Sequence, residues 1–410
     1  MTAVRLPLES GRGLRSAREV LAAAWEWART RLFNSPANAV VSLLLIVLLA
    51  WASFLFLRWM AFEADWGVVR TNRRLLLVGR FPQDQEWRIW PVVYALTALL
   101  GWTWGSWGRV TRWAAATMAL IGVLVLPTLA GWGGALAFLP AVTLAALVHL
   151  VALRLATRPA WRTRVRVASG VGWFLALPLT LALLHVRGGV DPTLWGGLYL
   201  NLVVASGAVM GALPLGIALA LARTSSFRAL RWASTVYVEV MRGLPLPVML
   251  TLSWLALRTF LPSWGGLDEV ALVYRVTIAF ALFTAAFIAE AVRGGLNSIP
   301  RGQREAAAAL GLQWWQMTAY VTMPQAIRNS LPALAGEFIG LFMTTTLVAV
   351  VGLTDMLQAA RGTTEQPDFF GRQKEVLLFV GMLFWVTAFA LSRLSARLER
   401  ALAGKGTRRA

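Results

Sequence analysis

Apolar residues fall in ten long blocks, near 39–60, 90–107, 113–131, 134–153, 167–186, 193–222, 233–261, 270–292, 331–354 and 376–396. A helix rises about 1.5 Å per residue, so about 20 apolar residues match the roughly 30 Å hydrocarbon core of a bilayer. The pattern predicts an all-α polytopic membrane protein with about ten transmembrane helices. Between the blocks the polar residues alternate in kind. Arg109 and Arg112, then Arg154 to Arg166, Arg223 to Arg231, Arg293 to Arg328 and the tail from Arg393 to Arg409 fall on one side. The intervening loops are poorer in net positive charge. Arg collects on the cytoplasmic face, so both termini are expected inside. Loop 61–89, with five Arg against four acids, is the exception to the alternation.

Composition agrees with this reading. The chain has 410 residues, 58% of them hydrophobic and 14% charged, whereas soluble domains are about 25% charged. Lys and Arg number 39 against 19 Asp and Glu, a net charge of +20. The bases are spread over the inside loops rather than gathered in one arm, which argues for topology and not for nucleic acid. Arg400, Lys405, Arg408 and Arg409 in the tail suit contact with anionic lipid. Many of the 21 Trp, among them Trp25, Trp87, Trp102, Trp161, Trp195 and Trp232, lie near span ends and are expected as interfacial anchors. With no Cys and only His149 and His185, disulfides, thiolate nucleophiles and a His-rich metal site are excluded. His-Glu-x-x-His and Gly-x-Ser-x-Gly are also absent. No catalytic residue and no metal site is expected.

The chain divides into unlike parts: a cytoplasmic segment 1–38, accessory helices over 39–187, a polar-marked core over 193–396 and a basic tail 397–410. In the core a short pattern occurs twice, Glu239-Val240-Met241-Arg242-Gly243 and Glu290-Ala291-Val292-Arg293-Gly294. Glu and Arg at i and i+3 share a helix face, so each set reads as a local ion pair that lowers the cost of burial. The same groups can instead border a polar path, with Arg meeting a carboxylate and Glu an ammonium. Thr344, Thr345 and Thr346 are the other polar residues set in an apolar run.

Segment 294–330 is not a span. Pro300 and Gly302 stop the preceding helix, Gln303 to Leu310 is strongly helix-forming with Glu305 near its start, and Gly311 ends it. A short cytoplasmic helix over 303–311 is expected, slim along Ala306 to Ala309.

This segment resembles the signature of the permease subunits of ABC importers: Glu305-Ala306-Ala307, Gly311, then Val321, Met323 and Pro324. Val321 and Met323 are conservative departures. Tyr237 to Leu246, Ala289 to Gly295, Ser298 to Gln303 and Leu347 to Leu353 are similar to the polar amino-acid branch, and the likeness runs over 198–393. Leu32-Phe33-Asn34-Ser35-Pro36-Ala37-Asn38 resembles the long permease of the general L-amino-acid importers. Where that family carries a Lys-Asp pair, this chain has Met343-Thr344.

The resemblance implies a five-helix importer core preceded by five accessory helices. It implies a path worked by alternating access for L-amino acids in the bacterial inner membrane. Gly302, Gln303, Glu305, Ala306, Ala307, Gly311 and Pro324 would contact an ATPase. The other partners implied are a second permease, a paralogue in that system, and a periplasmic or extracellular amino-acid-binding protein. The chain has no Gly-x-x-x-x-Gly-Lys-Ser/Thr sequence, so ATP and Mg belong to the partner ATPase and no cofactor is expected here. A membrane enzyme or a non-transporting assembly factor is the alternative. Solute-stimulated hydrolysis would separate it from a transporter.

Overall fold

The computed structural model describes residues 25–107, 139–185, 188–260 and 270–403. The expected span 113–131 and the acidic turn near 262–269 lie outside them. Six helical stretches among the described residues are long and apolar enough to cross a membrane. Backbone pairing outside helices is confined there to two isolated bridges. The chain separates into two compact units, Met1–Asp65 and Trp66–Ala410.

In the first unit, helix α1 (Pro36–Arg58) starts where the Ser35 hydroxyl accepts the Asn38 N–H and Pro36 takes the first turn. Both are favoured there, because the opening N–H groups of a helix have no intrahelical partner. The family-like Asn34 to Asn38 stretch is thus a helix start. α1 buries none of its residues and is apolar all round, as expected of a helix bathed in lipid.

The second unit is built on α7 (Gly197–Arg223) and α10 (Leu272–Asn297). Leu200, Val204, Ala208, Ala212, Gly216 and Ala220 are all buried on α7. They form one ridge of residues spaced by four, and its small members let the α10 backbone approach closely. At Gly216 an added Cβ would stand 2.9 Å from the Ala285 carbonyl oxygen of α10. Two apolar clusters lie along this seam. One surrounds Leu200, Val204, Val276 and Phe280, and the other surrounds Ala212, Ala285, Ile288 and Val292.

The expected span 233–261 is two helices, α8 (Arg228–Gly243) and α9 (Leu246–Phe260). Proline disfavours helical geometry in the residue before it, and Leu244, ahead of Pro245, is extended at φ −83°, ψ 134°. α8 is amphipathic, and α9 has 15 residues, short of the usual membrane length.

Residues 66–88, expected within the accessory part, pack into the core. Helices α2 (Gly67–Thr71) and α3 (Arg73–Val78) bury Val68, Val69 and Leu76 against α13 (Met356–Thr363) and α14 (Gln373–Ala403). Phe81 joins the cluster around Trp195 and Leu200. Relative to exposure to water, full burial of Val68, Leu76 and Phe81 would contribute about 1.5–3 kcal/mol each. Gly79 bridges Trp195, and a Cβ on Gly79 would lie 2.4 Å from the Gly196 Cα. The Arg74 guanidinium binds Glu86 and the Phe81 carbonyl, so the excess of Arg here is partly structural. Trp195, expected at the membrane interface, is buried edge-on to Tyr199 and Tyr274.

Between Arg88 and Gly188 the chain makes an excursion. Helices α4 (Ile89–Trp107), α5 (Leu139–Thr157) and α6 (Pro159–His185) pack chiefly on one another. Gly101 and Gly105, four apart on α4, face the Ala145 and His149 carbonyls of α5, where added Cβ atoms would stand at 2.2 and 2.4 Å. Trp102 Nε1 donates to Val165 O (3.0 Å), Thr103 shares a hydrogen bond with Ser169 (2.8 Å), and Trp173 Nε1 donates to Thr103 (2.9 Å). Trp102 is therefore a seam residue rather than an anchor.

Candidate functional site: the external helix and a charged cluster

After α10 the chain turns at Ser298 to Pro300 and forms α11 (Arg301–Ala309). The helix starts two residues earlier than expected and ends two residues earlier. Its last turn closes when Gly311 N–H donates to Ala308 O (2.9 Å) and Leu312 N–H to Ala307 O (3.2 Å), with Gly311 at φ +77°. These two bonds satisfy carbonyls that a helix end would otherwise leave open, and the left-handed residue between them favours glycine. Nothing in the chain lies within 4 Å of a Cβ placed at Gly311. Its conformation, not crowding within the chain, is what favours glycine there.

Ala307 alone is buried on α11, while Gly302, Gln303, Glu305 and Ala306 are exposed. Beyond it Leu310 (81%), Trp314, Trp315 and Tyr320 are also exposed. α11 is moored behind by Arg304, which donates to the Leu296 carbonyl at the end of α10 (3.2 Å). Residues Met317–Thr322 then wind as a π-helix into α12 (Met323–Thr344). Pro324 stands in the first turn of α12 and has no N–H to return to the Tyr320 carbonyl, which fits the wider winding just before it.

Beside this segment the two Glu/Arg patterns converge. Glu290 of α10 takes Arg293 at 2.7 Å, the expected i,i+3 pair. It also takes Arg223, the last residue of α7, and lies 3.9 Å from Arg242 of α8. The expected Glu239–Arg242 pair gives way to a pairing between helices, because Glu239 instead meets Arg223 at 3.4 Å. Arg242 lies over the Phe287 ring (5.8 Å) and interacts electrostatically with Glu337 of α12. Side-chain exposure is 13% for Arg223 and 19% for Glu290. Arg223, Arg242 and Arg293 thus face Glu239, Glu290 and Glu337 across four helices. An open hollow of about 510 Å³, lined by Glu290, Gly294, Ser298 and Asn329, adjoins them. In sequence Arg223 looks like one more loop base, and Glu337 stands apart from both Glu/Arg patterns. The available signal was an acid inside an apolar run.

Thr344, Thr345 and Thr346 return their hydroxyls to the carbonyls of Leu341, Phe342 and Met343. Thr345 is fully buried and accepts from Asn201 Nδ2 at 2.9 Å. Next to it the buried Asp355 caps α13, accepting the Leu357 and Gln358 N–H groups at 3.0 Å. Burial pushes this carboxyl above its usual range, against the opposing pull of those N–H groups and Asn201. Among the described residues no group of His, Asp and Glu is arranged to hold a metal.

Apolar helices long enough to cross a membrane, with a short exposed helix between two of them, define a polytopic membrane protein. Residues 212–404 match the family described as binding-protein-dependent transport system inner membrane component. The chain is 34% identical to the glutamate/glutamine/aspartate/asparagine transport system permease protein BztC of Rhodobacter capsulatus, across 92% of this chain and 94% of that one. It is 29% identical to the inner membrane amino-acid ABC transporter permease protein YhdY of Escherichia coli, across 92% of each. The glutamate/aspartate import permease protein GltK of Escherichia coli is 36% identical over 51% of this chain and 93% of its own length. The chain belongs to the permease subunits of ABC importers, in the polar amino-acid branch. Such permeases work with a separate ATPase, a permease partner and a substrate-binding protein.

Proposed function

We propose that this permease carries acidic amino acids and their amides across a bacterial inner membrane, with both termini cytoplasmic and α11 seated in a groove of the ATPase. The observation that supports the docking is the exposure of α11 and of Leu310, Trp314, Trp315 and Tyr320 around it. The substrate class is supported by likeness to the BztC permease along nearly its whole length. ATP and Mg²⁺ are used by the ATPase, whose closure moves α11 and rocks the spans around a midplane site. A second permease, a paralogue, completes the path. Glu239, Arg242, Glu290 and Arg293 border its cytoplasmic mouth beside the end of α7, while Thr344 and Thr346 border the path at the opposite end, beside the start of α7. Thr345 is withdrawn from that lining by its burial against Asn201.

The test is reconstitution of the full complex with its binding protein. Uptake of labelled glutamate is expected to be competed by aspartate, glutamine and asparagine and not by arginine or leucine. Gly311→Asp is expected to insert normally, lose the ATPase on co-purification and abolish uptake, because a charge would be desolvated in the interface. Retention of the ATPase and of full uptake would remove α11 from this role.

A further inference from the structure

The six charges beside α11 are unevenly shared. Glu290 is approached by three guanidinium groups from α7, α8 and α10 itself. Glu239, more than half exposed, makes one ion pair among the described residues, the 3.4 Å contact with Arg223, and also interacts electrostatically with Arg293. Arg242 lies 3.9 Å from Glu290, and Glu337 on α12 is close enough to interact with it electrostatically without forming an ion pair in this arrangement. Three bases thus face three acids, and a second assignment keeps every charge paired: Arg223 with Glu239, Arg242 with Glu337 and Arg293 with Glu290. The two assignments tie different helices. In the first, Glu290 binds the end of α10 to α7 and α8. In the second, α10 is paired only with itself, while α8 is held to α7 and α12.

We propose that Arg223, Arg242, Arg293, Glu239, Glu290 and Glu337 form an exchangeable clasp, which holds the α11 end of α10 in one assignment and releases it in the other. Three observations support the exchange. α10 leads into α11 within three residues, and Arg304 ties the two together, so a push on α11 reaches Glu290 directly. The cluster is only partly buried, so charges can move without full desolvation. The hollow beside Glu290 leaves room for its carboxylate to turn without repacking. Two discrete pairings at equal charge balance make an interface bistable rather than continuously deformable. The clasp rests on the reading of α11 as the ATPase-docking helix, and it adds the residues that pass movement to the spans.

The test uses the reconstituted complex and compares two neutralisations within one cluster. Glu290→Gln removes the hub of the holding assignment. Basal ATP hydrolysis is expected to rise by about fivefold or more, the lower end of typical coupling between sites, and stimulation by loaded binding protein to fall toward unity. Glu337→Gln removes the alternative partner of Arg242 and favours the holding assignment. Basal hydrolysis is then expected to fall below that of the unaltered protein, with uptake reduced. Glu290→Asp keeps the charge, shortens its reach and is expected to lie between the unaltered protein and Glu290→Gln. Opposite signs for Glu290→Gln and Glu337→Gln, with the ATPase still co-purifying, support the clasp. Changes of the same sign, or unchanged stimulation in both, overturn it. If Glu290→Gln does not fold, the clasp stands or falls on whether Glu337→Gln lowers basal hydrolysis and Glu290→Asp raises it. Loss of ATPase co-purification in Gly311→Asp is the separate readout for α11, and its failure would leave the comparison of Glu290→Gln with Glu337→Gln untouched.

Discussion

Asp355 shows how a single acid acts at a helix start within a buried setting. Its carboxylate caps α13, yet burial raises its pKa. A carboxyl whose folded pKa lies above its unfolded value contributes stability that is complete below the unfolded pKa and is lost as pH rises through the folded one. At neutral pH its charged form is therefore the costly one. Asn caps as well as Asp, so Asp355→Asn is expected to match or exceed the unaltered thermal midpoint at pH 7. The advantage should shrink as pH is lowered toward the ordinary carboxylate range. Asp355→Leu, which leaves the Leu357 and Gln358 N–H groups uncapped, is expected to lose about 1–2 kcal/mol. Fluorescence-monitored melting in detergent across pH measures both. At this scale the sequence was legible where partners are local: Glu290 and Arg293 pair as their spacing implies, and Gly311 ends α11. It was not legible for Glu239, whose partner comes from the end of another helix, since i,i+3 spacing says nothing about competitors brought up by packing.

Among the elements, the long apolar helices could be read from hydropathy, while the break at Leu244 was concealed by the apolar residues on both sides of it. Pro245 was the signal, through its effect on the preceding residue. The close seam between α4 and α5 was also written in the chain, as Gly101 and Gly105 four apart. A small-residue pair has meaning only when a second helix lies against it. Gly105→Leu is expected to destabilise that seam by about 1–3 kcal/mol, as overpacking does elsewhere, because its side chain would meet the His149 carbonyl. Limited proteolysis with mass spectrometry should then show the earliest cuts within 89–185. Equal protection of that region in the variant and the unaltered protein would show that the seam yields at no cost.

For the molecule as a whole, the division into accessory and core parts was drawn too simply from sequence, because loop 61–89 looked like an ordinary connection. Its buried Val68, Leu76 and Phe81 make it part of the structure around α7, α13 and α14. What lies between Arg88 and Gly188 is then an insertion whose two flanks meet where Gly79 bridges Trp195. The GltK permease matches only half of this chain while matching nearly all of its own. Replacing 89–187 by a flexible linker is expected to leave a permease that still inserts and retains its ATPase on co-purification. Loss of both would mean that the insertion is needed to hold the core together.

The Gly79–Trp195 contact also sets an order of events during synthesis. Residues 66–81 emerge early, but the surfaces that bury them, around Leu200 and then Met356 and Val376, are made only after the whole insertion and most of the core have left the ribosome. Until then Val68, Leu76 and Phe81 lack the partners that bury them, and uncovered apolar surface is what draws chaperones and proteases.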